Sequence, residues 1–376
     1  MLRLVFFLII LIHGLLHLLG FAKGLNLADV PQLSGKTIMP LSTSLSRIAS
    51  WLWGITCIFF LLSGNLFFFK NEYWGWFGAL AIILSQILII VYWKDAKAGT
   101  IANIIILPAV IVSIAGWNFK QNINKEIKTI LSEQSTPTSE IVGKESLTNL
   151  PYPVQNWLMH SGVVGKEKIH SVRLHQSGSM LTKPGGKWMP AVSEQYFTVD
   201  NPAFLWSVKM EMNSFLSMTG RDKFENGKGS MNIKALSLIT VAKDEGEKID
   251  QGTMLRYLAE IVWFPSAAFN EYMKWESIDS LTAKATLTYK GLNVSGIFSF
   301  DQIGNVIAFE AKRYGNFNGA YSMETWHINC REPRNFSGII IPSKSDVTWK
   351  LKDGDFTWFK MEIKDIEYNK AELFPD

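Results

Sequence analysis

Residues 251–265, QGTMLRYLAEIVWFP, decide how the water-soluble part of this chain folds. Leu255, Leu258, Ala259 and Val262 fall at i, i+3, i+4 and i+7, which makes one apolar stripe of an α-helix. Arg256 and Glu260 sit four apart on a neighbouring face, within pairing reach. Asp250 or Thr253 can cap the start, and Pro265, with no N–H to donate, stops the run. Nearly everything on either side reads as β-strand. A helix this bulky needs a sheet to lie on.

Strand-like runs precede it at 168–181, 195–199, 204–212 and 228–241. Others follow at 282–289, 292–300, 306–314, 321–329, 338–341, 346–351 and 356–368. All carry alternating or β-branched composition. Turn chemistry separates them at Lys290-Gly291, at 301–304 and at Asp353-Gly354. Residues 285–314, ATLTYKGLNVSGIFSFDQIGNVIAFEAKRY, read as a three-strand meander. A second helix is expected over 154–161, introduced by Pro151 and Pro153 and ended by Gly162. The expected domain is therefore α+β: a curved antiparallel β-sheet of about ten strands with two helices on one face. A sheet that large must curve or partly close, giving a half-barrel.

The first 118 residues read as a membrane α-helical bundle. Apolar runs cover 4–21, 48–69, 74–93 and 101–117, and about 20 helical residues cross a hydrocarbon core of roughly 30 Å. Trp51, Trp53, Trp74, Trp76, Trp93 and Trp117 mark segment ends, as expected of rings at headgroup level. A buried soluble bundle would need charged outward faces, which these runs lack. The first run is longer than a signal-peptide core and has no small-x-small site before Lys23, so it is read as a span. The chain thus divides into four transmembrane helices (1–118), a polar tether (119–149) and the β-sheet domain (150–376). Within the tether, 125–131 reads as a short surface helix and SEQSTPTSE, 132–140, as flexible.

Charge narrows the function. Of 37 Lys+Arg and 33 Asp+Glu, 11 and 7 precede Leu150, leaving 26 of each in the β-domain. A balanced domain has no basic footprint for nucleic acid. Loop charges divide evenly between the two membrane orientations under the positive-inside rule: Lys23, Lys36, Arg47, Lys94 and Lys97 against Arg3, Lys70, Lys120, Lys125 and Lys128. The first set lies in short loops close to the spans, whereas the later lysines lead into a large domain. That places the C-terminal domain outside the cytoplasm. Cys57 lies in a span and Cys330 in the domain, so no disulfide is implied.

His13 and His17 lie one turn apart on the first span. Paired imidazoles in a membrane can ligate haem or a metal. They can equally pack on a neighbouring helix and bond a carbonyl, with Gly14 and Gly20 permitting close approach. A haem iron would want a second His from another span, and none is present, so no cofactor is expected. Lys94, Asp95 and Lys97, between spans three and four, either face lipid headgroups or solvate a loop.

The stretches HGLLHLLGF, DAKAGTIANIIIL, RYLAEIVWFP, WESIDSLTAKATLTY and KRYG resemble an uncharacterised bacterial membrane-anchored family. That family joins four N-terminal spans to a C-terminal domain with an RYLxExxWxP signature, here at 256–265. The resemblance covers almost the whole chain and implies no established activity, so it carries no catalytic residue. In element order the soluble domain is also similar to the half-barrels of lipoprotein carriers (LolA-like). Fold alone does not fix function.

Three function classes fit. In the first, the domain binds a lipid or other hydrophobic, acylated ligand at the cell envelope, beneath the helix of 251–265. Phe204, Trp206, Met210, Met212, Phe215, Trp263, Phe264, Trp326, Trp349 and Trp358 supply lining, although core packing is the commoner use of such residues. Arg256, Tyr257, Glu260, Arg313 and Tyr314 supply the polar groups, with Trp263 and Trp326 beside them; a buried structural network is the competing use. In the second, an envelope hydrolase uses Glu260 with Glu276 or Asp279. No H-x-x-x-H, paired Cys or G-x-S-x-G occurs in the domain to organise a metal or nucleophile, and His170 and His175 point to opposite faces of a strand. The third class is a structural or sensory scaffold, for which no protein partner is identifiable. The binding reading is preferred. It makes the chain an integral protein of a bacterial inner or plasma membrane, with the lipid bilayer itself as a partner.

Overall fold

The computed structural model describes residues 1–132, 140–213, 216–317 and 319–375. It divides into two compact units, Met1–Gln121 and Asn122–Asp376. Most of the flexible stretch expected at 132–140 lies outside the described residues.

The first unit holds α1 (Leu2–Gly24), α2 (Thr43–Phe68), α3 (Trp74–Val91), the one-turn α4 (Trp93–Ala96) and the start of α5 (Gly99–Ser132). Four of these helices, all but α4, are long and apolar enough to cross a membrane. Their large side chains face outward: Leu4, Leu8, Ile12, Leu15 and Leu16 of α1 are exposed. Such a surface is costly in water and suited to lipid tails. Small residues let the helices meet, since a Cβ on Gly14 would lie 2.7 Å from Cβ of Phe60. The fourth span and the short helix expected at 125–131 are one helix of 34 residues. No proline after Pro108 interrupts that run, so the helix propagates into polar sequence.

The second unit holds the end of α5, a 3-10 turn (Lys144–Leu147) and α6 (Tyr152–Ser161), closed as expected by Gly162 in the left-handed conformation. Six strands follow: β1 (Ser171–Met180), β2 (Met189–Thr198), β3 (Ala203–Glu211), β4 (Ser217–Glu225), β5 (Lys228–Ala235) and β6 (Ile239–Glu245). Next come α7 (Glu247–Glu260) and two 3-10 turns, Ile261–Trp263 and Pro265–Phe269. The last seven strands are β7 (Met273–Ser277), β8 (Thr282–Tyr289), β9 (Leu292–Phe300), β10 (Val306–Phe317), β11 (Ala320–Phe336), β12 (Ile339–Leu351) and β13 (Gly354–Tyr368). All thirteen form one sheet in the order β6-β5-β4-β3-β2-β1-β13-β12-β11-β10-β9-β8-β7. Two meanders are joined by the antiparallel β1–β13 pair. The chain leaves one edge at β6 and re-enters at the opposite edge, β7. The α7 segment is that crossover.

This topology forces curvature. Laid flat, β5 and β9 would stand nine strand spacings, about 43 Å, apart. Yet α7 packs against β4, β5 and β6 and also against β9 and β10. The rings of Phe224 (β4) and Tyr289 (β8), equally remote in strand order, approach to 6.5 Å between centroids. A helix about 10–12 Å across can touch both flanks only if the sheet wraps around it. The curved antiparallel half-barrel is present, with α7 in its hollow.

Several details differ from the sequence reading. The described residues form thirteen strands rather than about ten: β4 and β7 add to the runs read from the sequence, and 228–241 is two strands bent at Leu236 and Ser237, both at positive φ. Conversely, 338–341 and 346–351 are one strand, β12. Pro342 lies beyond the β12–β13 ladder, which ends at Lys344–Glu362, so its missing N–H breaks no bond on that side. The helix starts at Glu247 and ends at Glu260, not at Pro265. A proline ring crowds the carbonyl four residues back, here Ile261, which explains the tightening from that residue onward. Neither Asp250 nor Thr253 caps it. Asp250 instead fastens α7 to β5, accepting from Gly229 N at 2.7 Å and pairing with Lys228 at 2.9 Å.

Candidate functional site

Between α7 and the concave face of the sheet lies a cavity of about 200 Å³. Trp206, Val208 and Met210 reach it from β3, and Trp326, Ile328 and Cys330 from β11, alternate residues on one strand face in each case. Phe359 and Met361 of β13 and Ala259, Val262 and Trp263 of the α7 segment complete the apolar walls. Burial among these groups pushes the Cys330 thiol up to about 12, so it stays neutral.

One wall is polar. Arg221 and Asp222 of β4, Arg256 and Glu260 of α7 and Arg313 of β10 all line it. Arg256 is the hub, donating to Glu260 Oε1 and to Asp222 Oδ2, each at 2.8 Å. Its guanidinium stacks on Trp206 and Phe204, 4.7 and 5.0 Å from their centroids. Gln195 of β2, fully buried, donates to the other oxygen of Glu260 at 2.7 Å. Burial pushes the Glu260 carboxyl above its ordinary value; Arg256 and Gln195 pull it back part way, and Asp222 adds repulsion. Arg221 pairs with Glu126 at 3.2 Å.

Arg313 is different. It is surrounded by protein but keeps some accessible surface, stacking on Trp326 at 4.5 Å and Trp349 at 5.9 Å. Among the described residues no carboxylate lies within ion-pair distance of it, and its buried Nε has no acceptor. Desolvation lowers it to about 10, with Asp222 and Glu260 opposing the shift and Arg256 adding to it.

The cavity therefore brings together Arg256, Glu260, Trp263, Arg313 and Trp326. Tyr257 and Tyr314 lie elsewhere. Tyr257 is fully buried, with its hydroxyl donating to Thr198 O at 3.0 Å. Tyr314 stacks beneath Lys248 at 5.4 Å. Of the other apolar candidates, Trp206, Met210 and Trp358 line the cavity, Phe204 and Phe264 are packed in the core, and Met212 is exposed. Trp349 sits behind Arg313. Phe215 lies outside the described residues. Glu276 is half-exposed and pairs with Lys284 at 3.4 Å, while Asp279 turns back on Leu281 N, so neither meets Glu260. The sequence alone does not point to Asp222 or Gln195. A second acid for Arg256 was the available cue, but it lies 34 residues away on a strand of mostly polar composition.

His13 and His17 belong to a hydrogen-bond chain inside the first unit. His17 Nδ1 donates to His13 O at 2.8 Å, so its Nε2 accepts from Ser85 Oγ at 2.9 Å. Asn103 donates to the same Ser85 oxygen at 3.1 Å and accepts from His13 Nε2 at 2.9 Å. His13 and His17 border a separate cavity of about 570 Å³, together with Lys23, Trp53, Tyr92 and Asp95. Among the described residues no group of three or more His, Cys, Asp or Glu side chains is arranged to hold a metal ion.

A helix-plugged antiparallel half-barrel with a mainly apolar cavity, following four helices of membrane-spanning length, defines the class of protein. The chain belongs to a family of unknown function, DUF6544, whose model matches residues 140–361. No curated protein matches the sequence. Among solved structures, the chain is similar to a DUF1329 family protein from Desulfovibrio piger, at 10% identity over 59% of this chain and 94% of that one, with a TM-score of 0.34. It is also similar to a LolA superfamily protein from Nitrosomonas europaea, at 10% identity over 58% and 94% of the two chains, with a TM-score of 0.28.

Proposed function

We propose that this is a membrane-anchored binding module for a lipid-like hydrophobic ligand, its β-domain held on the extracytoplasmic side of a bacterial envelope membrane. The observation that carries the reading is the cavity beneath α7: apolar on most sides, with charged groups gathered on one wall. A solidly packed hollow would have left no room for a ligand. Arg256, Glu260, Trp263, Arg313 and Trp326 are the proposed contacts, with Tyr257 holding α7 in place from outside.

The volume sets the ligand's size. At about 30 Å³ per heavy atom, 200 Å³ takes about seven methylene-sized groups. Burying these at about 0.8 kcal/mol each gives roughly 5–6 kcal/mol, a Kd near 0.1 mM before ordering costs. The cavity is partly open, so a short acyl segment fits within it and a longer chain, octanol included, extends out of its mouth.

The test uses the full chain in lipid nanodiscs and octanol bearing a mid-chain diazirine. After irradiation, label is expected on peptides containing 206–210 and 326–330, and Ala259→Phe, which fills the cavity from α7, should reduce it about fivefold. Label confined to the apolar helices of the first unit, which meet octanol through the bilayer regardless, would sink the proposal.

A further inference from the structure

We infer that the cavity selects a ligand with an anionic group, a carboxylate or phosphate on an apolar chain, and that Arg313 receives that group. The inference rests on the cavity being a ligand site and adds the ligand's charge.

Among the described residues Arg313 has no counterion in the wall. The two acids lining the cavity are both committed to Arg256: Asp222 at 2.8 Å, and Glu260 at 2.8 Å with its second oxygen occupied by Gln195. Arg221, which borders the cavity next to Asp222, turns its side chain to the other face of β4, where it already has Glu126 and the Ser230 hydroxyl. Arg313 has aromatic rings and an Nε without an acceptor. Stacking on Trp326 fixes the plane of the guanidinium but leaves its N–H donors unused, because rings accept charge and not directional hydrogen bonds.

An oriented, partly desolvated fork of N–H donors is the geometry that takes two oxygens of a carboxylate or phosphate side by side. A neutral ligand would leave the charge as it stands. The desolvation that lowers Arg313 marks a cost that an entering anion offsets. Apolar surface at Trp326, Ile328, Val208 and Met210 shares the same cavity, so the anion and its chain are received together.

The experiment measures displacement of the diazirine octanol label at 326–330 by octanoate, octyl phosphate and octanol, in the full chain in nanodiscs. At least one of the two anions is expected to compete at a concentration tenfold or more below that of octanol, and their ranking tells a carboxylate ligand from a phosphate one. Arg313→Met should abolish the anion preference while leaving octanol competition in place. Arg313→Lys, which keeps the charge but loses the fork, should retain a reduced preference, and it answers the same question if the Met variant unfolds. Equal potency of anions and octanol in the natural protein, or an undiminished preference in Arg313→Met, would overturn the inference while leaving a hydrophobic site intact. If the cavity takes no label at all, the binding reading itself fails.

Discussion

Arg256 is where the domain concentrates its buried charge. Its guanidinium lies between Asp222 and Glu260, and both acids are mostly buried. Removing one partner from such a group leaves charge uncompensated, so Glu260→Ala should destabilise the β-domain by about 3–5 kcal/mol. Thermal unfolding of the full chain in detergent, followed in the domain's transition, checks this; an unchanged midpoint would refute the buried pair. The pH dependence has a definite sign. Burial raises the Glu260 carboxyl above its ordinary value, so between the two values the folded state holds a proton that the unfolded chain has released. Glu260's contribution is therefore complete below the ordinary value and declines as pH rises through the raised one. Relative to Glu260→Gln, which does not titrate, the natural protein should lose stability as pH rises from the ordinary carboxylate value through the raised one. A difference that grew with pH would mean that Arg256 dominates over burial. Half of this network could be read from the sequence, because the Arg256–Glu260 spacing sets a helical pair. Asp222 and Gln195 could not, since each meets the helix through strand register across the hollow.

At the scale of elements, the contact between α7 and β5 sets how closely the helix sits in the hollow. A Cβ on Gly229 would sit 2.3 Å from Thr253 Oγ1 and 2.6 Å from the carbonyl oxygen of Ile249. The second is helix backbone and cannot rotate away. Gly229→Ala should push α7 off the sheet, at about 1–3 kcal/mol, and hydrogen exchange in peptides covering 247–260 should accelerate more than in β11 or β12. Uniform acceleration would mean that α7 is not a separable lid. The existence of α7 followed from the periodicity of 251–265, but its boundaries did not. Its first turn, EKID, is polar because it anchors through Asp250 to β5, and its last residues tighten ahead of Pro265. The apolar stripe also understated its burial: Met254 and Tyr257, off the stripe, are fully buried because the sheet encloses the helix on several sides. For β4, SMTGRDKFE, the difficulty was reversed. Its cavity side carries Gly220 and Asp222, so no polar–apolar alternation marked it as a strand.

For the whole molecule, local and non-local information part company. The four apolar helices were visible in sequence because a membrane span is written in consecutive residues. So were most hairpins, including Lys290-Gly291, where both residues take the positive φ of a tight turn. Wrapping the sheet until β4 meets β8 was foreseen only as a general need to curve, since it depends on contacts between strands far apart in the chain. Orientation is the remaining large-scale property, and charge counting alone leaves it balanced. The position of the first set of loop charges, close to the spans, favours a β-domain outside the cytoplasm, and a single exposed thiol tests this. Asp353 sits in the exposed β12–β13 turn, whereas Cys57 and Cys330 are buried, so Asp353→Cys supplies the accessible sulfhydryl. In intact cells a membrane-impermeant maleimide should modify this variant within minutes and leave the natural protein nearly unlabelled. Alkaline carbonate should leave the labelled chain in the membrane pellet, as four spans require. Labelling that appears only after the membrane is broken would put the domain in the cytoplasm, and its ligand would then have to be sought among cytoplasmic acyl compounds.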